Sequence, residues 1–143
     1  MIEAERLEKC LKKVEKPARY IGGELNSIVK EEAALRFCFC FPDVYEVGMS
    51  HLGMQILYFA MNETDYACER AFAPWSDMAE AMKNEAIPLY SLETKRPLSE
   101  FDVVGFTLQY EMSYTNILYM LDLGQITLLA NERGEEEPFV MAG

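Results

Sequence analysis

The stretch PDVYEVGMSHLG, residues 42–53, carries most of the side chains that could do chemistry. Asp43, Tyr45 and Gly48 stand in a D-x-Y-x-x-G pattern, and Ser50 and His51 follow. The backbone N–H groups of residues 50–53, at the start of a helix, can bind an anion such as the phosphate of a nucleotide tail. Gly48 and Gly53 would let a flat ligand come close to the backbone, or serve only packing. Ser50 is equally suited to capping the helix and nothing more. His51 is the sole histidine. Near a cleft it could touch a cofactor or move a proton, or it could simply begin a helix. With no second histidine, a His-based metal site or a Ser-His-Asp triad within this chain is not supported.

A second group of candidates lies in GFTLQYEMSYT: Thr107, Gln109, Tyr110, Glu111, Ser113 and Tyr114. These could line a cofactor face, or Ser113 could cap a helix while Tyr114 packs on a loop. Glu46 and Glu111 are the only carboxylates that could pair near such a cleft, and acid–base roles for them require geometry. Trp75, the only tryptophan, is either a partner anchor or a packing residue. Cys10, Cys38, Cys40 and Cys68 form no C-x-x-C pair, so a zinc ribbon or thioredoxin-like site is not supported. Cys38 and Cys40 alternate with Phe37, Phe39 and Phe41, which puts both thiols on one strand face as small buried hydrophobes.

These residues need elements to position them. LRFCFCF (35–41) is short and almost wholly apolar, as a strand covered on both faces would be. SHLGMQILYFAMNE (50–63) is the helix that follows, with Ser50 as its expected N-cap. Further strands are expected at 66–72, 87–93, 103–109 and 126–130, and a last one at Phe139–Ala142. Helices are expected within 73–86 and over 112–123, the latter ended by Gly124. Ahead of this core, residues 3–15 show helical periodicity, and ARYIGGELNSIVK reads as a hairpin turning at Gly22-Gly23. The expected architecture is a Rossmann-like or flavodoxin-like, doubly wound, mainly parallel α/β sheet. Residues 1–34 form its helix-plus-hairpin extension and 35–143 the α/β domain. Three loops then lie beyond the strand ends where ligands bind in such sheets: the one after Phe41, the one after Leu108, and whatever follows Gly143.

Composition narrows the classes. The 143 residues suffice for one domain with a sizeable core. The net charge is −11, and residues 37–143 hold five Lys/Arg against seventeen Asp/Glu. Such a body repels phosphate backbones, so no nucleic-acid partner is expected. No apolar run is long enough for a membrane span. The charged start, MIEAERLEKCLKKVEK, is unlike a secretion signal, so the expected location is cytoplasmic.

The pattern from Asp43 to Gly48 resembles the D-x-H-x-x-G signature of cobalamin-binding domains, with Tyr45 at the position of the cobalt-ligating histidine. Thr107-Leu108-Gln109 stands where that family has S-x-L: Thr107 keeps the hydroxyl and Gln109 replaces the leucine. Gly143 would be the first glycine of a third, Gly-Gly motif. A broader resemblance runs through KPARYIGGELNSIVK, RFCFCFPDVYEVGMSHLGMQILY, CERAFAPWSDM and FDVVGFTLQYEMSYTNILYMLDL. Together they are similar to the N-terminal region of a family of radical S-adenosylmethionine proteins.

In that family a cobalamin-binding-like domain precedes a catalytic barrel with a C-x-x-x-C-x-x-C iron–sulfur site. The resemblance implies that this chain is the front part of a longer polypeptide. Its partner would be the downstream barrel, which would hold the iron–sulfur cluster and S-adenosylmethionine. It also implies cobalamin as a possible cofactor, near Asp43, Tyr45, Gly48, Ser50, His51, Thr107, Gln109, Tyr110 and Gly143. No catalytic residue and no metal ligand is assigned within these residues. Without histidine at 45, cobalamin could not be ligated through that position, although binding without a protein ligand to cobalt stays open. A cofactor-free docking module is the second reading. A flavin carrier is weaker, since the first loop lacks a Ser/Thr-rich stretch. A phospho-receiver is weaker still, since no acidic pair closes the first strand.

Overall fold

The computed structural model describes residues 1–143. Four strands form one all-parallel sheet: β1 (Leu35–Phe41), β2 (Tyr66–Phe72), β3 (Val103–Phe106) and β4 (Phe139–Ala142). Their spatial order is β2-β1-β3-β4. The helices are α1 (Ala4–Leu11), α2 (Ala18–Ile21), α3 (Tyr45–Met49), α4 (Leu52–Asn62), α5 (Ser76–Asn84) and α6 (Tyr114–Leu123). The doubly wound α/β expectation holds. The order reverses between β1 and β3, the switch point where such sheets bind ligands.

Strand alternation sorts the core. Cys38 and Cys40 of β1, with Val104 and Phe106 of β3, face a large core built with α1, α5 and α6. Phe39 and Phe41 face the other side and pack with Met54 and Tyr58 of α4 and with Cys68 and Phe72 of β2. Small thiols on one face and aromatic rings on the other let layers of unequal bulk close on one strand. All four cysteines are free and buried, and burial pushes the Cys68 thiol up to about 12. Leu7, Cys10, Val14 and Tyr20 join the large core, so α1 and α2 pack against the α/β core.

Several expected elements differ. The hairpin at 18–30 is instead one helical turn followed by an irregular strap. Its polar groups find tertiary partners: Tyr90 donates its hydroxyl to the Tyr20 carbonyl at 3.1 Å, and the Ile28 N–H donates to the Tyr58 hydroxyl at 2.7 Å. Gly22 and Gly23 do turn the chain with positive φ, and a Cβ at Gly22 would run into the Leu92 carbonyl.

The strand expected at 87–93 is absent. Pro88 and Pro97 lack N–H donors, and the segment folds back on itself, with Ser91 donating to the Arg96 carbonyl at 2.9 Å and a bridge between Tyr90 and Pro97. It borders β2, where the Leu92 N–H reaches the Arg70 carbonyl at 2.8 Å. The strand expected at 126–130 is also absent. The Thr127 N–H is taken by the Glu137 carboxylate at 2.6 Å, its carbonyl by Arg133, and the chain makes a 3-10 turn at Ala130–Glu132. The strand expected over 103–109 ends at Phe106. Ser50 does not cap α4. Its hydroxyl donates to the Glu46 carbonyl at 2.7 Å and closes α3, an element the sequence reading did not foresee, while His51 takes the N-cap.

Candidate functional site at the switch point

Beyond β1 the chain turns at Pro42-Asp43, and three neighbours pin it. The Asp43 carboxylate accepts the Val44 N–H at 2.7 Å, and its carbonyl accepts the Ala73 N–H at 2.9 Å, tying the loop to the end of β2. Asn116 of α6 donates to the Pro42 carbonyl at 2.9 Å. The third tie crosses to the β3 loop. His51 Nδ1 accepts the Met54 N–H at 3.1 Å, which leaves the proton on Nε2, and that nitrogen donates to Gln109 Oε1 at 3.0 Å. The imidazole also lies against the Phe41 ring, with centroids 5.2 Å apart.

Tyr45 points away from this junction. Its hydroxyl donates to Glu24 of the strap at 2.9 Å, and its ring meets Phe72 edge-on. Burial, then the Glu24 carboxylate, pushes the phenol up to about 12. Glu24 stays below the usual carboxylate range despite burial. Its own backbone N–H, Tyr45, Ser27 and Arg70 all favour the charged form. Behind it lies a buried network that sequence reasoning missed. Arg70 contacts Glu93 at 2.7 Å, with side-chain exposures of 4% and 0%, and lies over the Tyr58 ring at 4.1 Å. The signal was present in YACERAF, where Glu69 and Arg70 interrupt an otherwise buried strand. Gly48 is a packing glycine here, because a Cβ would overlap the Phe72 ring.

On the α4 face, at the carboxyl ends of β3 and β4, a mainly apolar cavity of about 200 Å³ opens among Phe37, Leu57, Met61, Thr107, Met141 and Gly143. Its floor is Gly105, where a Cβ would overlap the Phe37 ring. Thr107 is 6% exposed, and its hydroxyl oxygen is buried without a hydrogen-bond partner. Gly143 extends the β3–β4 ladder, donating to the Phe106 carbonyl at 3.1 Å and accepting the Leu108 N–H at 3.0 Å.

Of the residues singled out in the sequence, the fold thus brings Thr107 and Gly143 to one cavity and joins His51 to Gln109 near it. Asp43, Tyr45, Gly48 and Ser50 serve other contacts, and Tyr110 is half exposed with its carbonyl accepting from Ser113. No group of three His, Cys, Asp or Glu side chains is arranged to hold a metal ion. No helix is long and apolar enough to cross a membrane.

The fold and this junction define an α/β domain of the doubly wound class with its cleft at the β1/β3 switch point. The family model described as "Radical SAM proteins, N-terminal" matches residues 53–143, well over half of the chain, and the chain belongs to that family. The match takes in α4, the Thr107 loop and β4, and begins just after His51. No curated protein and no solved structure matches the chain.

Proposed function

We propose that this domain is a cobalamin-binding-like accessory module of a radical S-adenosylmethionine enzyme, serving a barrel that carries the iron–sulfur cluster. The observation that carries the reading is the buried, unpartnered hydroxyl of Thr107 in an apolar cavity at the switch point. A buried hydroxyl without a partner costs about 1–3 kcal/mol, and a ligand that hydrogen-bonds it would recover that cost. The residues fit one arm of a large cofactor. About 200 Å³ is less than the roughly 300–1,000 Å³ that encloses a whole drug-sized ligand. Phe37, Phe39, Leu57 and Met61 would face a flat heteroaromatic ring, Gly143 would leave the backbone open to it, and Thr107 would bond a polar group on it. Bound cobalamin would supply a cobalt centre for group transfer. Tyr45, whose hydroxyl is engaged with Glu24, would not be a ligand to that cobalt.

A titration of the protein with hydroxocobalamin, followed by absorbance, tests this. Saturable binding near micromolar is expected, and Thr107→Val should weaken it about fivefold, the worth of one hydrogen bond. Absence of binding by the folded protein would favour the second reading, a cofactor-free docking module. That reading draws on the exposed apolar side chains along the carboxyl edge of the sheet, among them Leu52, Trp75, Leu108 and Met112.

A further inference from the structure

A second pocket lies on the opposite face of the sheet from the Thr107 cavity. It opens beyond the carboxyl ends of β1 and β2, between the first turns of α5 and α6, with a volume of about 240 Å³. Asp43, Pro74, Trp75, Ser76, Asn116 and Tyr119 line it. Its walls are pinned by bonds that leave other polar atoms unspent. Asn116 gives Nδ2 to the Pro42 carbonyl at 2.9 Å and keeps Oδ1 free. Asp43, the next residue, accepts the Val44 N–H on Oδ1 at 2.7 Å and keeps Oδ2 free. The Asp43 carbonyl accepts the Ala73 N–H at 2.9 Å, and the Tyr119 hydroxyl donates to the Pro74 carbonyl at 3.3 Å, so the end of β2 is fixed against both loops. Trp75 spends its backbone N–H on the Tyr20 hydroxyl at 3.1 Å, while its indole N–H and the Ser76 hydroxyl make no hydrogen bond.

The pocket therefore holds two neighbouring acceptors, Asp43 Oδ2 and Asn116 Oδ1, two free donors, and an indole ring 55% exposed and steadied by Arg19, which lies over it at 5.8 Å. Charge selects among ligands. No Lys or Arg lines the pocket, and the chain carries a net charge of −11. A phosphate or carboxylate would meet the Asp43 carboxylate with no cationic side chain to offset it. A cation would meet the amino ends of two helices, with Ser76 first in α5 and Asn116 in the first turn of α6, and their partial positive charge opposes it. The ligand that suits is neutral, has hydroxyls that both donate and accept, and offers an apolar face to Trp75. The volume lies below the roughly 300–1,000 Å³ that encloses a drug-sized ligand, as suits a single ring.

We propose that this pocket binds one neutral sugar ring through a vicinal diol. The two hydroxyls donate to Asp43 Oδ2 and Asn116 Oδ1, the Ser76 hydroxyl and the Trp75 indole N–H donate to oxygens of the sugar, and a C–H face of the ring lies on the indole. A free monosaccharide and the ribose of a nucleoside share this chemistry. The site shares no residue with the Thr107 cavity, so the proposal does not depend on cobalamin.

Trp75 is the only tryptophan, so the single indole N–H signal in a nitrogen-15 NMR spectrum reports on the pocket. The protein would be titrated, without cobalamin, with methyl ribofuranoside and its 2-deoxy analogue, and with adenosine, 2′-deoxyadenosine and adenosine monophosphate. The ribose compounds should move the indole and Asn116 amide signals saturably, with a Kd of about 1 mM or tighter. Each 2-deoxy analogue should bind at least fivefold more weakly, the worth of one hydrogen bond. Equal binding of the two ribose compounds would identify a free sugar as the ligand, and tighter binding of adenosine a nucleoside. Asp43→Asn keeps an oxygen for the Val44 N–H but replaces the free acceptor with a donor, and should weaken binding at least tenfold while the rest of the spectrum stays in place. Ser76→Ala, which removes no bond of the folded chain, should weaken it about fivefold. The proposal is overturned if no ribose compound moves the indole signal, if deoxy and ribose forms bind alike, or if binding survives Asp43→Asn unchanged. A large gain from the phosphate of adenosine monophosphate would overturn it too, since the site would then read an anion.

Discussion

His51 and Gln109 meet at 3.0 Å across the switch point of the sheet, and the same imidazole caps α4 through its other nitrogen. One side chain therefore sets both where α4 begins and how the β1 loop stands against the β3 loop. Replacing His51 with alanine should cost about 1 kcal/mol for the cap and a further part for the Gln109 bond. His51→Asn should recover the cap but not the bond. A denaturation double-mutant cycle with Gln109→Ala should give a coupling of about 0.5–1 kcal/mol; zero coupling would mean that the two loops are held apart from one another.

Arg70 and Glu93 form a buried pair, and Glu93 sits above the usual carboxylate range because burial outweighs the pull of Arg70. Removing one partner leaves the other charge buried alone. Arg70→Met should destabilise by about 3–5 kcal/mol, and adding Glu93→Leu should restore much of the loss. Urea midpoints of the two variants decide this, and a double variant no better than the single would contradict it.

Tyr45 gives an alkaline prediction. Its pKa is raised in the folded protein to about 12, so its contribution to stability is complete below the unfolded value near 10 and is lost as pH rises through 12. Ultraviolet phenolate titration should show Tyr45 ionising late, and Tyr45→Phe should flatten stability between pH 10 and about 12. Burial also raises Tyr58 and Tyr90, so some slope will remain.

Acid should act through Glu24. Its folded pKa is depressed, so the stability it lends is present above the unfolded value of 4.5 and is lost as pH falls below it. Glu24→Gln should make stability less dependent on pH below 4.5. An unchanged acid profile in that variant, followed by circular dichroism, would remove Glu24 from the account.

Gly105 is fixed by the Phe37 ring lying over it. Gly105→Ala should cost about 1–3 kcal/mol through overpacking. Phe37→Leu in the same chain should return part of this, and thermal melts of the three variants would show whether it does.

Much of the fold was legible in the chain because the signal was local. LRFCFCF and YACERAF are strands from end to end, since a buried parallel strand must be apolar on both faces and both segments nearly are. Helical spacing marked α1, α4, α5 and α6 for the same kind of reason. IPLYSLE and ITLLA misled because apolar content reports burial and not pairing. Both lie against the domain, but their N–H and C=O groups go singly to a loop, a side chain, the end of α6 or one carbonyl of β2, and no continuous strand ladder forms.

The candidate site divides along the same line. The sequence by itself determined the family, the parallel α/β class and the two loops that flank the switch point. Those depend on residue order and periodicity. Only the tertiary structure decided what each loop residue does. Tyr45 turned toward Glu24, because a strap far away in sequence brought a carboxylate within 2.9 Å. Ser50 closed a short helix while His51 capped the next. Thr107 came to line a cavity with Met61 and Gly143, residues separated in sequence and joined by strand register and helix packing. Spacing along a chain cannot encode such meetings, because they depend on which strands become neighbours and on which face each side chain emerges.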